Sequence, residues 1–143
     1  MKVYTIIPGQ LYQSAYTHQL GEDQLRSLLE EFRITMVVNL WSKADPRVEA
    51  LGIRYLHVSL PDGQIRKETV NKAIDIANSV NLALTQGERV LIHCRGGRNR
   101  ASFISGLTLY IRGMVGAQAA DVVCKARPRA FSNQHFQKYL EGL

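Results

Sequence analysis

This sequence has few of the features that indicate a disulfide-linked, zinc-binding, membrane-spanning or secreted protein. Its 143 residues include only two cysteines, no Cys-x-x-Cys pair and four scattered histidines, which argues against both a disulfide framework and a zinc site. No apolar run reaches the roughly 18 residues that a membrane span needs. The start, MKVYTIIPGQ, lacks the apolar stretch and cleavage site of a signal peptide. We therefore expect a cytoplasmic protein with no metal, no cofactor and no stable membrane insertion.

Negative charge is also in short supply. The chain carries 18 lysines and arginines against 12 acidic residues, which gives a net charge of +6. This surplus favours anionic partners, namely phosphates, nucleic acid, acidic peptides or membrane surfaces, without choosing among them. Two short stretches, residues 95–100 and 125–129, concentrate the arginines. We interpret the second stretch as a solvated helix end, although its Arg127 and Arg129 could extend an anion site.

The hydrophobic pattern alternates between short apolar runs and stretches with helical periodicity. It predicts strands within residues 3–7, 11–15, 34–41, 53–60 and 88–94. It predicts helices within residues 22–32, 44–52, 67–84, 100–113, 117–127 and 133–143. This order predicts an α/β fold: a single domain with a central, mostly parallel sheet of four or five strands flanked by helices. In such sheets, sites lie at the carboxyl ends of the strands.

Residues 90–103, VLIHCRGGRNRASF, place a thiol at such a strand end and surround it with positive charge. Gly96 and Gly97 allow the backbone to turn its N–H groups around a small concavity, toward which the following helix directs its positive end. Arg100 adds a planar donor that matches two oxygens of one phosphate. The field that binds a phosphate also favours a thiolate over a thiol at Cys94. The stretch can therefore bind a phosphate and hold a nucleophile beneath it.

The pattern His-Cys-x5-Arg over residues 93–100 resembles the signature loop of the cysteine-dependent protein tyrosine phosphatases. GQLYQSA, MVVNL, IRYLHVSLPDG and ARPRAFSNQHFQKYL extend the resemblance to the small, atypical dual-specificity branch, over nearly the whole chain. The resemblance implies one dual-specificity phosphatase-like catalytic domain over residues 1–143, with His93 supporting the loop and Cys94 as nucleophile. It implies that phosphate is bound by Arg95, Gly96, Gly97, Arg98, Asn99 and Arg100.

The same resemblance implies a general acid, an aspartate about thirty residues before the cysteine. Asp62 lies 32 residues before Cys94, between Pro61 and Gly63 and after a predicted strand. Pro-Asp-Gly is also good turn chemistry, so Asp62 could serve the turn alone. The implied reaction starts when Cys94 attacks phosphorus while Asp62 protonates the leaving oxygen; Asp62 then activates the water that hydrolyses the phosphocysteine. The weaker candidates for this acid are Asp45, Asp75 and Asp121.

One position departs from the family pattern. Most members carry Ser or Thr directly after the signature arginine, and that hydroxyl helps the thiolate leave. This chain has Ala101 there, with Ser102 one place later. A hydrogen bond to a charged group contributes about 1.5–3 kcal/mol, so the second step could slow by roughly ten- to a hundredfold. We expect a working enzyme that accumulates phosphoenzyme.

The substrate stays open at this stage. A small domain without insertions leaves a shallow cleft, which suits phosphoserine and phosphothreonine as well as phosphotyrosine, and a dual-specificity protein phosphatase is the main prediction. Basic residues at Arg95 and Arg98 resemble members that act on phosphoinositides, and Gly97-Arg98-Asn99-Arg100 resembles the RNA 5′-triphosphatase branch. A non-catalytic phosphate-binding module is an alternative that Ala101 favours. We expect nucleic acid only as a substrate, because no recognition motif is present.

Overall fold

Five strands form one mixed sheet in the computed structural model, which describes all 143 residues. Their order across the sheet is β1-β2-β5-β3-β4; β1 pairs antiparallel with β2, and the other pairs are parallel. The α/β fold with a mostly parallel sheet is thereby confirmed. The strands are β1 (Val3–Ile7), β2 (Leu11–Ser14), β3 (Met36–Asn39), β4 (Arg54–His57) and β5 (Val90–His93).

Six helices flank the sheet, and a 3-10 turn over Thr17–Gln19 follows β2. No helix is long and apolar enough to cross a membrane. The helices are α1 (Glu22–Glu31), α2 (Arg47–Ala50), α3 (Lys67–Thr85), α4 (Asn99–Ile111), α5 (Gly116–Ala126) and α6 (Gln134–Glu141).

Several predicted elements are shorter than their sequence patterns suggested. The helix predicted within residues 44–52 covers only Arg47–Ala50, since Pro46 disfavours helical backbone at the residue before it. The strand predicted within residues 53–60 ends at His57. Beyond it the chain still lies beside the end of the neighbouring strand, since the N–H of Leu60 donates to the carbonyl of Leu40 at 2.9 Å.

The sheet is buried on both faces, which explains why its central strands are apolar at successive positions. Leu91 of β5 packs in a smaller cluster with α1, whereas its neighbour Ile92 packs in the main core with α3 and α4. Side chains of a strand alternate between faces, so a parallel strand covered on both sides needs apolar residues throughout. This arrangement fixes β5, and with it the residues that follow, at the centre of the molecule.

Helix α4 is enclosed by other helices and presents no polar face. Every residue from Ala101 to Leu109 is buried, as expected for a helix with neighbours on all sides. The rings of Phe103 and Phe136 stack with centroids 4.6 Å apart. At Gly106 the helix approaches α6 so closely that a Cβ atom would lie 2.3 Å from Cδ2 of Leu140. The helix that carries the arginine after the cysteine is therefore held firmly.

Asp45, one of the candidate acids, is part of a buried ion pair instead. Its carboxylate accepts a hydrogen bond from Thr17 Oγ1 at 2.8 Å and two from the guanidinium of Arg47, from Nε at 2.8 Å and Nη2 at 2.9 Å. Burial alone would raise the pKa of Asp45, but the hydrogen bonds from Arg47 and Thr17 outweigh it and lower the pKa from 3.8 to about 2. Asp45 thus joins the 3-10 turn to α2.

Replacing Asp45 with Asn should lower the free energy of unfolding at pH 7 by about 2 kcal/mol, the equivalent of this pKa shift. The folded-state pKa lies below the unfolded one, so the contribution is present above about pH 4 and is lost as the pH falls toward about 2. Urea denaturation should show that the difference in the free energy of unfolding between wild type and Asp45→Asn is about half as large at pH 3 as at pH 7. Asp23→Asn, at an exposed ion pair, is the control. An equal effect in Asp23→Asn, or a gap independent of pH, would contradict this role.

Candidate active site

The cysteine loop, residues 93–100, begins at the carboxyl end of the central strand β5. It is anchored on both sides: the N–H of Leu40 donates to the His93 carbonyl at 2.8 Å, and the N–H of Tyr16 donates to the Arg95 carbonyl at 3.1 Å. Cys94 is 2% exposed and forms no disulfide. The predicted placement of the thiol at a strand end, on the edge where parallel sheets hold their sites, agrees with this geometry.

Gly97 is the point at which the cysteine loop turns back against the sheet. Its φ is +66°, in the left-handed region that glycine adopts without strain. A Cβ atom there would lie 2.4 Å from the carbonyl carbon of Ser14 at the end of β2. Gly96 differs, because a Cβ atom at that position would meet nothing within 4 Å. Of the two glycines singled out in the sequence, only Gly97 is required by the packing.

A buried polar network lies beneath the cysteine loop. Gln13 on β2 donates from Nε2 to the Gly97 carbonyl at 3.3 Å and to Ser102 Oγ at 2.9 Å, and its Oε1 accepts from Ser105 Oγ at 2.7 Å. All three side chains are fully buried. The network joins the loop, β2 and the first turns of α4, so Gln13 holds the loop from below.

Ser102 does not take over the place of the hydroxyl expected one residue earlier. Ala101 is fully buried on the first turn of α4, and the Ser102 hydroxyl belongs to the Gln13 network. The departure from the family pattern noted in the sequence is therefore not compensated by the neighbouring serine.

Arg100 lies on the first turn of α4 and extends toward the segment before Asp62. Its Nη1 donates to the Leu60 carbonyl at 3.3 Å. Its Nε is buried and has no hydrogen-bond partner within the protein. A buried guanidinium N–H without an acceptor is unfavourable, and an oxyanion held by the loop would supply that acceptor.

Asp62 lies at the same edge of the site, in the turn of residues 61–63, which we call the Asp62 turn. Its Oδ2 accepts from Asn99 Nδ2 at 3.1 Å, and its Oδ1 accepts from Asn133 Nδ2 at 2.9 Å. Asn133 Nδ2 also donates to the Gly63 carbonyl at 2.9 Å. The structure thus brings the predicted acid against the last residues of the cysteine loop. Asp75 and Asp121 belong to helices α3 and α5.

Asn99 is the link between three segments. Besides its bond to Asp62, its Oδ1 accepts from the backbone N–H groups of Ser132 and Asn133, each at 2.9 Å. The segment before α6, residues 127–133, is therefore joined to the cysteine loop and, through Asn133, to the Asp62 turn. We call it the closing segment.

His93 is enclosed behind the loop. It is fully buried, and its Nδ1 donates to the Cys94 carbonyl at 3.3 Å. Burial lowers the pKa of His93 from 6.5 to about 4, although the hydrogen bond to the Cys94 backbone opposes this shift. His93 is therefore neutral at physiological pH and contacts the loop backbone, a geometry compatible with the supporting role predicted for it.

Some basic residues around the loop are exposed, and others donate hydrogen bonds to backbone carbonyls. Arg95 is exposed, and Arg98 donates from Nε to the Arg129 carbonyl at 2.9 Å. The interpretation of residues 125–129 as a solvated helix end is wrong for Arg127. Its guanidinium donates to the carbonyls of Gly97 and Gly96 at 2.9 and 3.3 Å, because α5 ends beside the cysteine loop.

Two neighbours of the loop, Gln13 and Asn133, were not identified from the sequence, and Arg127 was considered there only as a possible extension of an anion site. A glutamine within the short predicted strand LYQS was a local signal, because a glutamine buried in a strand needs a polar partner. Asn133 occupies an N-cap position, where its Oδ1 accepts from the N–H of His135 at 3.0 Å, and this role concealed its second one. No group of three or more His, Cys, Asp or Glu side chains is arranged to hold a metal ion.

Comparisons with known proteins agree with this geometry. Residues 11–142 match the family model described as the dual specificity phosphatase catalytic domain. A search of curated protein sequences found no significant match.

Solved structures similar to this chain include several phosphatases. Tk-PTP in its active form is 25% identical with a TM-score of 0.79, over 98% of this chain and 96% of that one. A mouse protein assigned as a dual specificity phosphatase, complexed with zinc tungstate, is 25% identical with a TM-score of 0.80, over 98% and 84%. Human DUSP28, at 23% identity and a TM-score of 0.79 over 98% and 90%, shares the fold.

The family match covers nearly the whole chain, and it agrees with the fold and with the cysteine at the end of β5. The chain belongs to the dual specificity phosphatase catalytic-domain family and is a cysteine-dependent phosphatase.

Proposed function

We propose that this protein is a dual-specificity protein phosphatase that hydrolyses phosphotyrosine, phosphoserine and phosphothreonine through a phosphocysteine on Cys94. The observation that carries the proposal is the convergence of three groups at one edge of the sheet. Cys94 directly follows the central strand. Arg100 contacts the Leu60 carbonyl just before the Asp62 turn, and Asp62 is hydrogen-bonded to Asn99 of the cysteine loop. Nucleophile, anion binder and acid are thereby gathered around one space.

The cysteine loop binds the phosphate in this proposal. Its backbone N–H groups and the guanidinium of Arg100 hold the three oxygens that do not take part in bond exchange. The start of α4 adds the positive end of a helix dipole. The unpartnered buried Nε of Arg100 supports this role, since a phosphate oxygen completes its hydrogen bonding. Tungstate, bound by the mouse relative, is a tetrahedral oxyanion like phosphate.

The chemistry has two steps. In the first, the Cys94 thiolate forms an S–P bond as the P–O bond to the leaving group breaks, and protonated Asp62 gives its proton to the departing oxygen. In the second, Asp62 takes a proton from water, whose oxygen attacks phosphorus, and the S–P bond breaks to release phosphate. Since Ala101 has no hydroxyl, we expect the second step to limit turnover. His93 stays neutral and supports the loop backbone.

The rim of the site supports the dual-specificity assignment. The connection between β3 and α2 is residues 40–46, and that between β4 and α3 is residues 58–66. Such short connections build a low rim, and a shallow site admits the short side chains of phosphoserine and phosphothreonine as well as phosphotyrosine.

A multiply phosphorylated, non-protein substrate is the second candidate. It is favoured by the exposed Arg95 and by Arg98, which is oriented by its bond to the closing segment. Both lie on the phosphate-binding loop, and their side chains could contact further phosphates of a phosphoinositide or of an RNA 5′-triphosphate. The net charge of +6 favours any such polyanion.

Substituting each of the two glycines by alanine tests the loop. Gly97→Ala should lower kcat/KM by about a hundredfold or more, because the forced backbone shift misdirects amides that hold the transition state. Gly96→Ala, which meets no atom within 4 Å, is the matched control and should lose much less. Steady-state kinetics and circular dichroism of both variants check this. Equal losses in the two variants would refute the assignment.

Variants at Asp62 and Asn133 test the general acid. Asp62→Asn should reduce kcat/KM by roughly 10²–10⁴ on a phosphothreonine peptide, whose alkoxide leaves poorly, and far less on p-nitrophenyl phosphate, whose phenolate needs little protonation. Asn133→Ser keeps an N-cap oxygen for α6 but loses the amide donated to Asp62. It should show the same dependence on leaving group, to a smaller extent. Equal losses of activity on both substrates in Asp62→Asn would argue against proton donation.

Phosphate release from four substrates at matched concentration tests the function itself. They are a phosphotyrosine peptide, a phosphothreonine peptide, a phosphoinositide and an RNA with a 5′-triphosphate, each with Cys94→Ser as the blank. We expect the wild type to turn over both peptides and the variant to turn over nothing. A preference for the phosphoinositide or the RNA would replace the main proposal by the second candidate. Turnover that survives in Cys94→Ser would exclude Cys94 as the nucleophile.

A further inference from the structure

We propose that Arg127 is a positioning residue that holds the cysteine loop in its phosphate-binding conformation from outside the site. The inference rests on the proposed function, because it assigns a part in phosphate binding to a residue that does not contact the substrate. Arg127 directly follows α5, at the start of the closing segment, and lies 33 positions after Cys94 in the chain.

The guanidinium of Arg127 donates hydrogen bonds to the carbonyls of two successive peptide groups of the loop. Its Nε donates to the Gly97 carbonyl at 2.9 Å and its Nη2 to the Gly96 carbonyl at 3.3 Å. Its Nη1 donates to the carbonyl of Pro128. Its Cζ lies 4.5 Å from the ring centroid of Tyr4, so the planar group is supported by an aromatic ring as well.

Holding these two carbonyls also fixes the direction of two N–H groups. In a trans peptide the C=O of one residue and the N–H of the next point to opposite sides, and the chain has no cis peptide bond. The N–H groups of Gly97 and Arg98 therefore point away from Arg127. Neither of them donates a hydrogen bond within the protein, so both are available for an anion on the other side of the loop.

The conformational freedom of Gly96 and Gly97 explains why the loop needs such a positioning residue. Gly97 has to be glycine because of its positive φ and its contact with Ser14. Glycine is also the residue whose flanking peptide groups rotate most easily. A rotated Gly96 or Gly97 peptide would present a carbonyl oxygen, instead of an N–H, to the phosphate. Arg127 opposes this rotation, because the rotated carbonyl would lose its charge-assisted hydrogen bond.

The fork of an arginine suits this task better than the single ammonium of a lysine. Two adjacent carbonyls need two donors at a fixed spacing, which a planar guanidinium provides. The cysteine loop also donates a hydrogen bond to the closing segment, from Arg98 Nε to the Arg129 carbonyl at 2.9 Å. The cysteine loop and the closing segment are thus held together in both directions, and the positive charge of Arg127 stays on the outer side.

The test compares Arg127→Met, Arg127→Lys and the control Arg112→Met. Arg112 is an exposed arginine of equal charge, with a single side-chain bond to Asn81 Oδ1 at 2.9 Å. With a phosphotyrosine peptide, Arg127→Met should lose about ten- to a hundredfold in kcat/KM, since misdirected amides bind the transition state less well. Arg127→Lys should recover only a small part of the loss, and Arg112→Met should stay within about twofold of the wild type.

A second readout separates positioning from a loss of folding. The inhibition constant for tungstate should rise in Arg127→Met by a factor similar to the loss in kcat/KM, while thermal unfolding still shows a folded protein at the assay temperature. The ratio of activities on p-nitrophenyl phosphate and the phosphothreonine peptide should not change, because Asp62 is untouched. Millimolar guanidinium should restore part of the activity of Arg127→Ala.

Two results would overturn the inference. One is an Arg127→Met variant that matches Arg112→Met in both kcat/KM and tungstate inhibition. The other is a loss of activity that follows the unfolded fraction alone, with unchanged tungstate affinity of the folded protein. If the wild type fails to turn over any substrate yet binds tungstate in a manner that depends on Arg127, the proposed function fails and the assignment of Arg127 stands.

Discussion

The proposed phosphate binding imposes one constraint on the site: successive peptide groups of the cysteine loop have to direct their N–H groups toward a single point. Their carbonyl oxygens must then be accommodated on the other side, where each needs a donor. Gln13 supplies one from below, Arg127 supplies two from outside, and the Tyr16 N–H supplies one to Arg95. Much of what surrounds the loop is therefore there to satisfy the carbonyls, and only a few groups face the anion.

This constraint also explains the division of the molecule into a firm and a more adjustable part. The loop lies between β5, which is buried on both faces, and α4, which is enclosed over Ala101 to Leu109. The Asp62 turn, by contrast, is held only by side chains, through the amides of Asn99 and Asn133. Contacts that exchange easily would suit the proposed role of Asp62 as an acid that approaches and leaves each substrate. A backbone held in place would suit the proposed role of the cysteine loop in binding phosphate.

The sequence predicted well what depends on neighbouring residues. Strand, turn and helix around Cys94 follow from an apolar run, two glycines and a renewed apolar period, and the alternation of elements predicted the parallel sheet. What it could not supply was pairing between distant segments. Arg127 and Gly97 are 30 residues apart, and Gln13 and Ser102 are 89 apart, so their contacts exist only once the fold has brought β2, α4 and α5 together. A cluster of arginines in a linear sequence does not show which one faces carbonyls and which one faces water.

The side-chain oxygen and nitrogen of Asn133 form hydrogen bonds with different segments of the chain. Its side-chain oxygen caps the first turn of α6 through the N–H of His135, and its nitrogen donates to Asp62 and Gly63. The side chain can do both only while that turn is wound, because the cap fixes its orientation. The position of Asp62, the proposed acid, is thereby coupled to the helix–coil equilibrium of a terminus that frays more readily than the core. Conditions that unwind the start of α6 would release the Asp62 turn without disturbing the sheet. Helix fraying is thus one way in which solution conditions can change the position of Asp62.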